Sequence, residues 1–164
     1  MHTLTSTNSR TKIIAAKIVT ITVYAVLFSL IIAVLSPAMS RLGIAMNHHT
    51  LVPQTLNYGD LLWRSLFFGW GYSMLGLLLG TLIRNQVGAI AALFVIPAAI
   101  EQILGLLLKE NAKYLPFTSL ANVISGDSQA ANALSPAKAA GVFTIYLVVG
   151  WLVAWVLFIR RDAN

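Results

Sequence analysis

Four long apolar stretches constrain what this chain can fold into. They cover residues 18–35, 65–83, 87–108 and 139–159, and Glu101 is the single charged side chain within them. Their lengths of 18, 19, 22 and 21 residues are close to the roughly 20 residues with which a helix spans a bilayer. The sequence therefore predicts an integral membrane protein that crosses the membrane four times.

Composition excludes a water-soluble fold. Hydrophobic residues make up 58% of the 164-residue chain and charged residues 10%, whereas soluble domains have about 25% charged residues. A net charge of +6 is compatible with nucleic-acid binding, but the basic residues are scattered singly at predicted helix ends and form no patch. We therefore predict an all-α, polytopic transmembrane helical bundle whose surroundings are lipid and which binds no nucleic acid.

The predicted organisation is a single membrane domain over residues 1–164. Its helices are expected at about 13–36, 61–83, 87–108 and 139–159, with Pro37 ending the first and a connector following it to residue 60. The first apolar stretch is longer than the 7–15 residues usual in a signal peptide, so we expect it to be retained. Residues 114–126 are semi-apolar and too short to span, which predicts a re-entrant or interfacial segment on the outer side.

The orientation follows from the basic residues. Four crossings place both termini on one side, and that side holds six basic residues against five on the other. The six basic residues on the first side all lie close to helix ends, which is where the positive-inside rule applies. We therefore expect both termini in the cytoplasm, with the chain in a prokaryotic plasma membrane.

Glu101 is the most informative acidic residue. It lies about 21 Å into the third predicted helix, and an intramembrane carboxylate usually faces a bundle interior or a wet cavity. Pro97 precedes it by four residues and removes one backbone hydrogen bond, so a kink or break is expected there. Two interpretations stay open: Glu101 lines a path or its hinge, or the helix ends early and Glu101 reaches interfacial water.

Two helix faces carry further candidates. Gly69, Ser73, Gly76 and Gly80 form a small-residue face that favours close helix packing, either within the chain or between two copies. On the first helix, Lys17, Thr20 and Tyr24 share a face that is either a vestibule lining or a consequence of Lys17 snorkelling to the interface.

Sequence motifs for chemistry are absent. The chain has no cysteine and no phosphate-binding loop, zinc-protease or serine-hydrolase motif. Its five acidic residues are scattered, and the adjacent His48 and His49 are expected in a solvated loop. We therefore expect no enzyme activity, cofactor or metal site on this chain.

Four short segments, taken in order, resemble the membrane subunit (permease) of type-2 ABC exporters. They are Thr3-Leu4-Thr5 with Ser9-Arg10 and Ala16-Lys17, then Gly80-Thr81-Leu82-Ile83-Arg84-Asn85, then Tyr114-Leu115-Pro116-Phe117 with Leu120, and finally Phe158-Ile159-Arg160-Arg161-Asp162. They are similar to the stretch after that family's coupling helix, its tight cytoplasmic turn, its re-entrant outer piece and its C-terminal end. That family has six membrane helices, so the chain resembles the last four and lacks the first two.

The resemblance implies a function and partners. The chain would be a permease subunit, or part of one, that forms the path for a hydrophobic or amphipathic substrate together with a second permease chain. A separate ATP-binding-cassette subunit would hydrolyse ATP and act through Arg10, Lys12 and Lys17. Candidate path or hinge residues are Thr20, Tyr24, Ser29, Ser73, Pro97 and Glu101. The alternatives are a small non-transporting scaffold or immunity-type protein, or an intramembrane enzyme that acts on lipid.

Overall fold

The computed structural model describes residues 10–46, 57–83, 85–125 and 133–160. These residues form six α-helices, with one π-helical and one 3-10 segment, and contain no strand. The helices are α1 (Arg10–Met46), α2 (Tyr58–Leu82), α3 (Gln86–Val95), α4 (Glu101–Leu108), α5 (Pro116–Ser125) and α6 (Pro136–Arg160). The all-α prediction is confirmed.

Four helical rods are long and apolar enough to cross a membrane: Ile14–Met46, Tyr58–Leu82, Gln86–Tyr114 and Pro136–Leu157. The third rod is composite, because α3 and α4 are joined by the π-helical segment Ile96–Ile100 and followed by the 3-10 segment Lys109–Tyr114. Large apolar side chains cover the outside of all four rods, which is the surface that lipid requires. The chain is an integral membrane protein by these criteria.

The predicted end of the first helix at residue 36 is wrong. The helix continues through Pro37 to Met46, because a proline removes only one backbone hydrogen bond and need not end a helix. With 37 residues, α1 is about 55 Å long and exceeds the roughly 30 Å hydrocarbon core. Its extension places Arg41 against Tyr58, whose hydroxyl accepts a hydrogen bond from the Arg41 guanidinium.

The other predicted boundaries shift for local reasons. Helix α2 begins at Tyr58 rather than 61, since the side chain of Asn57 caps it by accepting from the Asp60 amide at 3.4 Å. Helix α3 begins after Asn85, whose side chain accepts from the Val87 amide at 3.0 Å. Helix α6 begins at Pro136 rather than 139, and proline is favoured in a first helical turn.

Helix α2 is the centre of the bundle, since it contacts α1, α3, α5 and α6. Two of its contacts are very close. At Gly71, an added Cβ would lie 2.7 Å from Phe143 of α6 and 3.0 Å from Leu120 of α5, and Gly150 of α6 meets Leu78 of α2 in the same way. The main core cluster forms around these contacts; it comprises Met74, Leu75, Leu78, Phe117, Leu120, Phe143, Leu147 and Ala154.

Helix α5 is the short segment that the sequence predicts between the third and fourth crossings. Its ten residues give about 15 Å, half of a bilayer core. Phe117, Leu120 and Val123 are buried, and Leu120 reaches Gly71, about 20 Å along α2 from Tyr58. This depth makes α5 a re-entrant helix inside the bundle rather than a helix on its surface.

Candidate functional site

Helices α1 and α2 touch most closely at Gly69. A Cβ added to Gly69 would lie 1.8 Å from the Oγ of Ser29 and 3.1 Å from its Cβ, so any larger residue would require the Ser29 hydroxyl to rotate and the two helices to shift. Ser29 itself is 4% exposed. Because the two helices run in opposite directions from this contact, Lys17 of α1 lies at the level of Thr81 of α2.

A groove extends along α1 and α2 around this contact, and we call it the α1–α2 groove. Its volume is about 1060 Å³, at the upper end of small-molecule sites. Most of its wall is apolar or small. The lining comprises Lys17, Ile21, Tyr24, Ala25, Phe28, Ser29 and Ile32 of α1, Ser65, Phe68, Gly69, Tyr72, Ser73, Gly76, Leu77, Gly80 and Thr81 of α2, Gln86 of α3 and Ile124 of α5.

The groove exists because glycines leave space where a side chain would close it. A Cβ at Gly80 would have no neighbour within 4 Å, and one at Gly76 would meet only Leu93 of α3, at 3.8 Å. The same small-residue face therefore does two different things. At Gly69 it brings α1 and α2 together, and toward Gly80 it keeps the groove open.

The groove has polar groups along its length, and its one charged side chain lies at the end that Lys17 occupies. Lys17, Thr81 and Gln86 line this Lys17 end, and Tyr24 follows about 10 Å further along α1. The Ser73 hydroxyl donates to the Gly69 carbonyl at 2.8 Å and the Thr81 hydroxyl to the Leu78 carbonyl at 2.7 Å. Both hydroxyl protons are thus used within α2.

A second cavity lies on the other side of α1, between α1, α2 and α6. It has a volume of about 500 Å³ and its lining includes Ile18, Trp70, Met74, Leu147 and Trp151. No charged side chain among the described residues lines it. Its wall is mostly apolar, with the hydroxyl groups of Thr81 and Thr144 as minor polar elements, so this cavity is suited to acyl chains.

Glu101 forms a separate polar cluster. It is 5% exposed, and its carboxylate accepts hydrogen bonds from the Phe117 amide at 2.7 Å, the Thr118 amide at 2.8 Å and the Thr118 hydroxyl at 2.8 Å. These amides are the unpaired donors of the first turn of α5. A carboxylate at a helix N-terminus is stabilised by those donors and by the helix dipole. Glu101 therefore caps α5 from another helix.

Pro97 lies in the π-helical segment next to this cluster. Proline has no amide proton, so the Leu93 carbonyl, four residues earlier, loses its regular helical donor. The Tyr72 hydroxyl of α2 donates to that carbonyl at 3.4 Å, and the Tyr72 ring meets the Phe117 ring edge-on at 6.0 Å. Tyr72 thereby joins the irregular part of the third rod to the start of α5.

A third polar cluster lies at the start of α2. Asp60 forms an ion pair with Arg64 and accepts a hydrogen bond from the Trp63 indole at 2.6 Å. The Arg64 guanidinium also lies 6.0 Å from the Trp63 ring centre. The aromatic and charged groups of this cluster are typical of a helix end at the membrane interface.

The structure brings together seven of the residues that the sequence singles out: Lys17, Tyr24, Ser29, Gly69, Ser73, Gly76 and Gly80 all line the α1–α2 groove. Thr20 is exposed on α1 outside the lining, and Lys12 is exposed near the start of that helix. Arg10 is the first residue of α1; its side chain lies outside the described part, as do His48 and His49. Glu101 and Pro97 belong to the separate cluster at α5, so neither lines the groove.

Sequence reasoning missed the α5 cap and the close contacts of Gly71 and Gly150. The cap had a signal in the sequence: Leu115 occupies the N-cap position before Pro116, where a Ser, Thr, Asp or Asn side chain would normally accept from the first turn. A helix start without a local acceptor in a membrane needs one from elsewhere, and Glu101 is the acid near it. Gly71 and Gly150 lie outside any repeated spacing, so no signal marked them.

The described residues contain no group of three or more His, Cys, Asp or Glu side chains that could hold a metal ion. The profile of the family described as "Protein of unknown function (DUF2705)" matches residues 4–163. The chain belongs to this family. No curated protein and no solved structure matches it.

Proposed function

We propose that this chain is a permease subunit, or part of one, of an ATP-binding-cassette exporter, and that the α1–α2 groove is its part of the path for a hydrophobic or amphipathic substrate. The observation that carries the proposal is the position of the groove. Its Lys17 end lies at the same end of α1 as Lys12 and Arg10. A motor acting on that end of α1 would act directly on the groove.

The packing of α1 supports such a movement. Helix α1 contacts α2 more extensively than any other element, and most of its side chains are exposed. Its tightest contact, Ser29 with Gly69, lies about 18 Å from Lys17 along the helix axis. A tilt of α1 about this contact would widen or close the groove beside Gly76 and Gly80, where no side chain of α2 resists it.

The proposal includes partners. The sequence has no phosphate-binding loop, so ATP hydrolysis would belong to a separate ATP-binding-cassette subunit that contacts Arg10 and Lys12 and acts through them on the Lys17 end of the groove. A second permease chain, identical or different, would complete the path. Because basic residues crowd one set of helix ends, we place both termini in the cytoplasm of a prokaryotic cell.

The hydrogen bonds and burial of the Glu101 carboxylate favour a transport function over that of an intramembrane enzyme. Its carboxylate oxygens accept three hydrogen bonds from α5. Its three bonds and its burial favour a structural role over that of a general acid, which must reach a substrate. A non-transporting scaffold could use the same groove, and it differs from an exporter subunit in having no ATPase.

The test is whether an ATPase assembles on α1. The tagged chain, with a photoreactive amino acid in place of Lys12, is extracted with native lipid from cells that encode it and irradiated. We expect a cross-link to a polypeptide that carries a phosphate-binding loop, and ATP hydrolysis in the purified complex. The control places the photoreactive residue at Leu107, which is 73% exposed on α4.

Deleting residues 2–12 should remove most of the co-purified ATPase activity. A complex that hydrolyses no ATP, or whose ATPase remains fully bound after the deletion, would contradict the exporter assignment. If the chain binds a ligand but no ATPase co-purifies with it, the result would favour the scaffold.

Topology is tested separately, and the absence of cysteine makes the labelling specific. With Lys12→Cys, a membrane-impermeant maleimide should label the chain only after the cells are made permeable. Met46→Cys, at the opposite end of α1, should be labelled on intact cells. The reverse pattern would contradict cytoplasmic termini.

A further inference from the structure

The α1–α2 groove has one cationic end and a mostly apolar body that also carries neutral hydroxyl groups. Lys17 is the single charged side chain in its lining, and Thr81 and Gln86 add polar atoms at the same end. Ile21 and Leu77 begin the apolar part. A ligand that satisfied every part of this surface would have a polar, anionic end and an apolar remainder.

The charge of Lys17 is available to such a ligand. The described residues include three acids, Asp60, Glu101 and Glu110, and none of them lines the groove. Asp60 pairs with Arg64, and Glu101 is bound to α5. The described part of the groove therefore supplies a positive charge without supplying the negative charge that would neutralise it.

The depth of Lys17 fits an amphiphile rather than a small soluble anion. Lys17 immediately precedes the uncharged stretch 18–35, so its ammonium group lies at the membrane interface, where lysine side chains place their charge. From Lys17 to Ile32 the groove follows α1 for about 22 Å, most of the roughly 30 Å hydrocarbon core. An anionic head at Lys17 would thus leave its apolar body inside the membrane.

We propose that the α1–α2 groove binds an anionic amphiphile, with its head at Lys17 and Gln86 and its apolar body along α1 and α2 toward Gly69. The inference deepens the proposed function, on which its identification as transported cargo rests. Binding itself needs no ATPase, so the two proposals fail separately: loss of ATPase assembly leaves the binding result intact, and the reverse also holds.

The test uses dodecyl phosphate as the anionic probe and dodecylphosphocholine as its zwitterionic match, both titrated into the purified chain in a neutral detergent. Binding is counted by native mass spectrometry. We expect Lys17→Gln to weaken dodecyl phosphate about fivefold, the upper range for an exposed ion pair, and to change dodecylphosphocholine less than twofold. Lys12→Gln removes a cation from the same helix outside the groove and should change neither probe.

A second pair of variants tests the location independently of charge. Gly80→Leu fills open space inside the groove, whereas Gly43→Leu fills open space on the distant extension of α1. We expect the first to abolish binding of both probes and the second to leave it unchanged. Neither substitution meets an atom within 4 Å at its Cβ, so both variants should fold.

Two results would overturn the proposal. One is equal loss of dodecyl phosphate in the Lys17→Gln and Lys12→Gln variants, which would mean that general surface charge attracts the probe. The other is retention of binding in Gly80→Leu, which would place the probe elsewhere. Displacement of dodecyl phosphate by phosphatidylglycerol at equal concentration would support the proposal and identify the anionic amphiphile as a bilayer lipid.

Discussion

The Glu101 cluster and the α1–α2 groove place a charge in the same apolar bundle with opposite results. Glu101 is buried, and donors from α5 satisfy its carboxylate. Lys17 is exposed at the end of a groove whose described lining contains no acid. One charge is used to hold the fold together, and the other has no acidic partner among the described residues of the groove.

The two regions also differ in how well neighbouring groups support the backbone and fill the space around it. Near Glu101, the Tyr72 hydroxyl reaches the Leu93 carbonyl that Pro97 leaves free, so an irregular segment is supported. Near Lys17, Gly76 and Gly80 leave space that no side chain fills. A charged group whose hydrogen bonds are made within the bundle therefore indicates a structural site. A charged group beside open space, with no acidic partner among the described residues, indicates a functional candidate. In a membrane bundle this distinction is more informative than the presence of a charge.

Removing the Glu101 carboxylate should have the largest effect. Glu101→Ala leaves the Phe117 and Thr118 amides without an acceptor inside the bundle, and we expect a loss of about 3 kcal/mol in unfolding free energy. Unfolding in mixed detergent micelles measures it. Protease cleavage between α4 and α6 should also accelerate as α5 leaves the bundle.

Glu110→Ala is the matched control, because Glu110 is an exposed acid on the following 3-10 segment. Its effect should stay within about 0.5 kcal/mol. Equal stability of the two variants would show that the α5 cap is not structural, and the comparison with Lys17 would fail.

Gly69→Ala should have an intermediate effect. Its Cβ would lie 1.8 Å from the Ser29 Oγ and 3.1 Å from the Ser29 Cβ, so the buried hydroxyl must rotate and α1 and α2 must shift slightly apart, at a cost of about 1–3 kcal/mol. Gly80→Ala adds the same methyl group in open space on the same helix and should be neutral or slightly stabilising. Both are measured by the same unfolding assay.

The Gly69 result also has an internal check. Combining Gly69→Ala with Ser29→Gly removes the obstructing hydroxymethyl group and should recover much of the lost stability. A destabilisation that is equal at positions 69 and 80 would mean that α1 and α2 do not approach each other as described.

Tyr72→Phe should have the smallest effect. It removes one hydrogen bond to the Leu93 carbonyl and keeps the ring contact with Phe117, and such bonds in membrane bundles contribute about 0.6 kcal/mol. Tyr146→Phe, on an exposed part of α6, is the control and should be neutral. Indistinguishable variants would show that Tyr72 does not support the π-helical segment.

Hydropathy and length alone predict most of the fold. The four apolar stretches coincide with the four membrane rods, and the semi-apolar piece at 114–126 becomes α5. The end of α1 was predicted wrongly at Pro37. Proline ends helices in water more reliably than in a membrane bundle, because the surroundings of the bundle cannot hydrate an exposed backbone. Pro97 was expected to disturb its helix, and it lies in the π-helical segment.

Less of the candidate site than of the fold could be predicted from the sequence. Helical spacing correctly grouped Gly69, Ser73, Gly76 and Gly80 on one face, but spacing cannot say which glycine touches a neighbour and which borders a gap. Glu101 could be placed at a depth within the membrane, whereas its partner depends on how α5 folds back into the bundle. Such tertiary pairings carry no periodic signal along the chain.

The proposed function requires α1 to move against α2 and α3 at the Lys17 end of the groove when ATP acts on the assembled complex, while α5 stays fixed. Because the chain has no cysteine, spin labels at Thr20→Cys and Val87→Cys, both exposed, report the distance across that end. Labels at Ile103→Cys and Ala121→Cys report the distance between α4 and α5. The account predicts that trapping the complex with ATP and vanadate shifts the first distance distribution and leaves the second unchanged. An unchanged distance between positions 20 and 87, in a complex that hydrolyses ATP, would contradict it.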